Sequence, residues 1–483
     1  MKLYNNLHKE DFAMSEFIRY VLYELKNSLV LVLLAGIVAL AVLGITYFIY
    51  RCRHKGEKKF PWRKAFLWLI FLGYMMIVIY ATMLRWAGFF HREWNLHLFR
   101  AWREAWNNFS VKNWANVLLN VAMFGPLGCF LPLLGKKFRK WYLTIPAGFG
   151  TSLAIELLQL AMGRGICDVD DLFCNTLGAV IGYLLVMSIL SLRNQKGSRI
   201  KPVLVYGGLC LALMASLSGI FITYRVKEYG NLPQAAAYTN NTKDVTWKLE
   251  CEFPKYEPEM AVYQTQTRSH AACDAFAEKF KKIINTEYHT VSYYQEAAYY
   301  MDNGSDGGAH FLYVNYLDPG YAYSALFDDD AAWIDSDRLT VEAALSQFPV
   351  LIPETAEFVA EGDGWHTFTA RQHMEASVLI DGTLRVRLAE DGSIREIQNQ
   401  LLSYTYYDKV GIIPPEDAYQ LLCAGKFNDS GYFEHLSPSE VSVLSCTFGY
   451  EIDTKGFYQP VYYFEVASPD GAYEYRIMIP AMK

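Results

Sequence analysis

IELLQLAMGRGICDVDDLFCNTLGAVIG, running from Ile155 to Gly182, joins two apolar runs and sets Glu156, Gln159, Arg164, Asp168, Asp170, Asp171 and Asn175 at or inside their ends. An acidic side chain at the centre of a membrane helix costs roughly 2.5 to 3.5 kcal/mol on insertion scales, so such residues face a bundle interior and mark function by default. If the flanking runs span a membrane, this polar knot is the candidate site.

The rest of the chain supports that condition. Of 483 residues 52% are hydrophobic, too apolar for a wholly soluble protein and too long for one ordinary core. Six apolar runs have spanning length: Leu29 to Tyr50, Ala65 to Leu84, Trp114 to Leu134, Trp141 to Met162, Leu172 to Leu192 and Val203 to Thr223. Each holds about 20 residues, enough to cross a hydrocarbon core of roughly 30 Å at about 1.5 Å per residue. In lipid the backbone must satisfy itself, so these runs are helices. Residues 1 to 224 carry 25 Lys and Arg against 11 Asp and Glu, whereas the remainder carries 19 against 39. The nets of +14 and −20 argue for two environments rather than for a nucleic-acid partner. The expected architecture is an all-α membrane bundle over 28–224, preceded by an outer or interfacial segment at 1–27 and followed by a soluble α+β extracytoplasmic domain at 225–483. No basic region leads the N-terminus into a short apolar core, which argues against a cleaved signal peptide. Phe12 to Leu25 reads as an amphipathic helix lying at the interface.

Orientation follows from the basic connections. Arg51 to Lys64, Lys136 to Lys140 and Arg193 to Lys201 are rich in Lys and Arg and belong on the cytoplasmic side, which leaves both termini and the knot outside. The outer segment from Arg85 to Lys112 is also basic and interleaves Trp94, Phe99, Trp102, Trp106 and Phe109 with its charges. Indole rings favour the headgroup level, so this segment reads as an aromatic anchor or as a lid over the knot.

The third run presents Asn113, Asn116 and Asn120 on one helical face, followed by Pro126, Gly128 and Pro132. In the fifth, Asp171, Asn175, Gly178 and Gly182 form one stripe with polar residues above small ones. Glycines let helix backbones approach closely, so Gly128, Gly178 and Gly182 read as packing positions and Pro126 as a kink. The polar residues have two readings. They are interhelical hydrogen-bond glue, typically worth under about 2 kcal/mol per contact; or they form a functional cluster of Asn120, Glu156, Gln159, Arg164, Asp168, Asp171 and Asn175, with Arg164 a possible partner for the charge on Glu156.

The ordered set Asn120, Phe124, Pro126, Gly128, Glu156, Gln159, Arg164, Asp168, Asp171, Asn175, Gly178 and Gly182 resembles the signature of the VanZ family over about residues 60–192. The resemblance implies a multi-pass bacterial membrane protein, related to one associated with resistance to teicoplanin, a lipid-tailed glycopeptide. It brings no settled reaction. The first run, the sixth run and the large outer domain depart from the family pattern.

Beyond Arg225 the composition turns acidic, tyrosine-rich and turn-rich. Helices are expected over Ser269 to Asn285, Arg338 to Phe348 and from Pro414 to about Phe427, and strands in between. Asp381-Gly382 and Asp391-Gly392 read as hairpin turns. A helix followed by antiparallel strands recurs, a pattern that resembles PepSY-like extracytoplasmic modules. Nine cysteines are split between the two parts, with Cys167 and Cys174 flanking the acidic cluster as a candidate pair. The scattered histidines and the cysteine spacing fit no zinc site, and no phosphate-cradling loop or nucleophile elbow is present, so neither metal nor cofactor is expected.

Three functions remain in play. The first is an envelope protein that binds or modifies an amphiphilic or lipid-linked molecule at the outer leaflet, such as a cell-wall precursor or a lipoglycopeptide, with membrane lipids as its other partners. The second is a membrane-embedded enzyme using Glu156 or Asp171 as acid or base; the absence of a catalytic motif weighs against it. The third is a sensor or binding protein that acts through its outer domain. Orientation is open to direct measurement: a reporter active only in the cytoplasm should work when fused after Lys59 and fail when fused after Lys483, and the reverse pattern would place the knot on the inner face.

Overall fold

The structure is a computed structural model that describes residues 36–38, 40–53, 60–84, 91–193, 200–232, 240–294, 296–303, 308–327, 332–375, 378–427, 438–469, 471 and 473–483. The amphipathic helix expected at Phe12 to Leu25 and the start of the first run lie outside these residues. The chain forms two compact units, one helical and made of Met1–Trp106 and Ser110–Glu228, the other sheet-rich and made of Tyr229–Lys483 with Asn107–Phe109.

Six helices of the first unit are long and apolar enough to cross a membrane. They are α1 (Gly36–Arg53), α2 (Trp62–Ile79, extended to Leu84 by a π turn), α4 (Val111–Leu134), α5 (Trp141–Met162), α6 (Val169–Arg193) and α7 (Ile200–Val226). Their ends follow from local chemistry. The Ser110 hydroxyl accepts from the Asn113 amide at 3.2 Å and caps the start of α4. Gly163 closes α5 in the left-handed region at φ 64°, a conformation that glycine adopts without a Cβ clash. The most apolar stretch of α6 is 50% buried while that of α7 is not buried at all, so α6 is the axis of the bundle and α7 sits on its flank.

Between these helices the polar connections are ordered. β1 (His91–Asn95) pairs in parallel with β2 (Arg164–Asp168), and α3 (Arg100–Asn108) leads on to α4. The segment read as an aromatic interfacial loop is therefore, in its described part, a strand and a short helix. The helix α6 also starts at Val169 rather than Leu172, because Asp168 Oδ1 accepts from the Asp170 amide at 2.8 Å and puts Asp170 and Asp171 in a first turn where carboxylates meet the positive end of the dipole.

In the second unit the sheet runs β3 (Thr246–Leu249), β14 (Glu440–Ile452), β15 (Phe457–Ala467), β4 (Glu259–Gln264), β13 (Leu402–Gly411), β11 (Val378–Leu388), β12 (Ile394–Asn399), β8 (Tyr321–Phe327), β7 (Gly308–Asn315), β6 (Ala297–Asn303) and β5 (Thr290–Tyr293), with β10 (Trp365–Glu375) on β11, β9 (Glu357–Gly362) on β10 and β16 (Glu474–Pro480) on β15. Three helices precede groups of strands: α8 (His270–Ile283) comes before β5 to β8, α9 (Arg338–Leu345) before β9 to β13, and α10 (Pro415–Cys423) before β14 to β16. Thus the helix-then-strands pattern occurs three times. Around α10 the core gathers Leu422, Val441, Val443, Phe464, Val466, Ile477 and Ile479, all buried. Asp391-Gly392 does form the turn between β11 (Val378–Leu388) and β12 (Ile394–Asn399). Asp381-Gly382 does not: it lies inside β11. There Gly382 adopts φ 115° with its α-carbon so close to the Gln400 carbonyl that a Cβ would come within 2.0 Å. The glycine bends the strand, so Val378–Asp381 pair with β13 while Leu384–Leu388 pair with β12.

The start of this unit is held by one buried carboxylate. Asp453, fully buried, accepts from the amides of Gly230 at 2.6 Å, Lys455 at 2.7 Å and Phe457 at 2.9 Å and from the side chain of Gln459 at 2.5 Å. Beside it Leu232 packs on Val461 and Met478. Removing this acceptor leaves several buried donors unpaired, so Asp453→Ala is expected to lower the stability of the sheet-rich unit by about 3 kcal/mol or more. The loss should be visible in chemical denaturation, and an unchanged midpoint would remove Asp453 from the account.

Candidate functional site in the membrane unit

Glycines decide where the polar residues of the bundle can meet. A Cβ on Gly178 would lie 2.0 Å from the Val121 carbonyl, one on Gly182 1.9 Å from the Gly125 carbonyl, and one on Gly128 2.0 Å from the Ala179 carbonyl. So α4 and α6 touch backbone to backbone, and a Cβ on Gly148 of α5 would also come within 2.7 Å of the Ala179 side chain. Pro126 lies in the same part of α4, and Cys129 donates its thiol proton to the Gly182 carbonyl at 3.1 Å. Nearer the knot, and on the same two helices, Asn120 donates to Asp171 Oδ1 at 2.5 Å.

From Asp171 the polar groups continue through the connection. Glu156, 3% exposed in α5, accepts from the Asp168 amide at 3.1 Å. Asp168 accepts in turn from Asn95 of β1 at 3.0 Å and from the Asp170 amide. Burial pushes the Asp168 carboxyl above its usual range, and the bonds from Asn95 and the Asp170 amide, with the nearby Arg100 guanidinium, pull it partly back. Asp170 is fully buried and spends both oxygens on backbone, accepting from the Phe99 amide at 2.5 Å and the Ala101 amide at 2.6 Å. It thereby caps α3 from across the bundle and holds Phe99 at φ 68°, a strained value for a phenylalanine.

Four carboxylates, Glu156, Asp168, Asp170 and Asp171, therefore lie along one path between α5, β2 and α6. Glu156 and Asp171 are close enough to act on one another electrostatically. Two other residues of the expected cluster turn elsewhere. Gln159 donates to the Thr82 carbonyl at the end of α2 at 2.8 Å, and Asn175 donates to Ser152 at 2.9 Å, both within the bundle. The backbone of Arg164 stands opposite His91 in the two-stranded sheet. Its side chain lies outside the described residues, and with it the pairing expected with Glu156. Asn95, Ser152 and Thr82 were not among the expected residues; each is recruited across a gap of at least 23 residues, and no local pattern marks them.

All nine cysteines are free thiols, so Cys167 and Cys174 do not form the pair that their spacing had suggested. Among the described residues no group of three or more His, Cys, Asp or Glu is arranged to hold a metal ion. Around the path stand aromatic rings: Phe99 on Phe173 at 5.2 Å, Trp102 on Trp114 at 6.3 Å, Trp114 on Phe221 at 4.8 Å and Trp106 on Tyr224 at 6.1 Å.

Helices in close glycine contact, with a carboxylate path across the connection of the last two, occupy the region of the chain that matches the VanZ/LLP1 family, residues 62–191. Residues 62–191 are a VanZ-like domain. The VanZ-like region covers α2 to most of α6 and excludes α1, α7 and the sheet-rich unit. No curated protein matches the chain. Among solved structures the Bacillus megaterium YpeB C-terminal domain is similar at 13% identity and a TM-score of 0.18, over 45% of this chain and 95% of that one.

The glycine contact of the VanZ-like domain is open to test. With a backbone carbonyl 1.9 Å from the added carbon, the neighbour cannot yield as a flexible side chain would, so Gly182→Leu must part α4 from α6. Full-length protein carrying it should be lost from the membrane fraction or melt well below the parent, whereas Gly150→Leu, where nothing stands within 4 Å, should be tolerated. Equal behaviour of the two variants would sink the packing argument.

Proposed function

We propose that the VanZ-like domain binds an amphiphilic or lipid-linked envelope molecule at the outer leaflet and thereby lowers sensitivity to teicoplanin-type lipoglycopeptides. The observation that carries this reading is the pair of carboxylates at the two ends of the carboxylate path, Glu156 and Asp171, each accepting one bond from a neighbour in an apolar bundle. Glue would not need them: Asn and Gln hydrogen-bond between helices without the cost of burying charge. Here Asn175 and Gln159 already serve that purpose, tying α6 to α5 and α5 to α2. The carboxylates instead converge on the connection between α5 and α6, which the positive-inside pattern assigns to the outer face. A ligand that offers amide, hydroxyl or ammonium donors matches such a path of acceptors. The teicoplanin connection comes from the VanZ resemblance, and the choice of an amphiphile from the membrane position of the site.

The test is the isosteric removal of charge. Gln replaces Glu156 in shape and in hydrogen bonding, so a purely structural carboxylate would survive the change. On this reading Glu156→Gln and Asp171→Asn leave the amount of protein in the membrane largely intact and abolish protection, measured as drug susceptibility of cells producing each variant at matched levels. Full protection by Glu156→Gln would reduce the carboxylates to packing.

A further inference from the structure

A groove of about 510 Å³ opens between α3, the start of α4 and the end of α7, lined by Trp102, Arg103, Trp106, Trp114, Gly219 and Ile220. Its volume falls within the few hundred to about a thousand Å³ of known small-ligand sites. We propose that it is a binding site for an anionic phospholipid, whose phosphate is held by Arg103 and whose first acyl carbons lie on the indoles and on α7.

Three features select this occupant. The first is position. Glycine 219 and Ile220 belong to α7, whose neighbouring Met214 and Ile222 are exposed in a span that buries none of its apolar stretch, so the groove is continuous with the lipid-facing surface. The second is chemistry. Indoles prefer the headgroup level, and a guanidinium matches a phosphate with two parallel donors while its stem lies along apolar surface. The third is charge: this end of the unit also carries Arg100, Lys112, Arg225 and Lys227, and Arg100 already pairs with Glu104 at 3.0 Å. Basic residues in or next to the three helices that line the groove favour an anionic over a zwitterionic headgroup.

The groove is also joined to the carboxylate path. Trp102 and Arg103 sit in the first turn of α3, which Asp170 caps through the Phe99 and Ala101 amides. Their placement over α7 therefore depends on the same carboxylate that is bonded to Asp168. This deepens the reading above by naming the charged part of an amphiphile that this domain holds, and it is tested without drug susceptibility, so either can fail alone.

The experiment uses the full chain purified in neutral detergent and titrated with fluorescent phosphatidylglycerol and, separately, phosphatidylcholine. Phosphatidylglycerol should bind more tightly. Arg103→Gln should weaken it about tenfold, the worth of one charge-assisted contact, and weaken phosphatidylcholine, which carries the same phosphodiester, to a smaller extent. Trp106→Leu should weaken both lipids. Arg63→Gln, an exposed charge at the start of α2, serves as the control for net charge and should alter neither. Equal affinity for the two lipids, an equal effect of Arg103→Gln and Arg63→Gln, or displacement of phosphatidylglycerol by inorganic phosphate alone would each overturn the proposal, the last by pointing to a small-anion site.

Discussion

Everything in the VanZ-like domain depends on how near α4 and α6 can come. In water two helices are driven together by their apolar faces, but lipid is as apolar as leucine, and association must be won by packing and by hydrogen bonds made only at short range. Gly128, Gly178 and Gly182 supply that range by replacing side chains with backbone contact. Once the axes are that close, the Asn120 amide, whose side chain is short, reaches Asp171. A wider spacing would leave a buried carboxylate facing hydrocarbon. The small residues and the polar ones are thus one device, the former setting the distance that the latter need.

The carboxylates then divide by the work their oxygens already do. Both oxygens of Asp170 are taken by the backbone of α3, which makes it an architectural group whose loss would release that helix and the rings it carries. Asp168 is half architectural, capping α6 and binding Asn95. Glu156 and Asp171 each accept from one neighbour on the path described above and lie close to each other, which is why the functional reading is placed on them and not on the most buried member of the set.

Spans, glycine stripe and the helix-then-strands pattern of the second unit were legible because they are periodic or compositional: runs of about 20 apolar residues have one meaning in a bilayer. What was illegible has a common cause. Asn95 meets Asp168 across 73 residues, and Asp170 meets Phe99 across 71, so neither contact leaves a local trace. Asp381-Gly382 misled for the opposite reason, since the dipeptide carries the local signature of a turn while the close approach of Gln400 requires the glycine inside a strand. Local chemistry states what a backbone can do; the partner that arrives from elsewhere decides which possibility is used.

That distinction bears on what Asp170 does. In sequence it is one of three aspartates within four residues, and a helix dipole explains an acidic first turn without invoking anything further. Only the structure shows that its oxygens point away from its own helix to the start of another. The connection between α5 and α6 is consequently tied at several points, because β2 is paired to β1, Gly163 closes α5, and Asp170 bonds the start of α3. A preorganised connection loses little freedom when it meets a ligand, and binding energy that would otherwise go into ordering it remains for recognition. The strain at Phe99 is the cost of that arrangement, and it is tolerable because a buried carboxylate with two amide donors outweighs one unfavourable backbone angle.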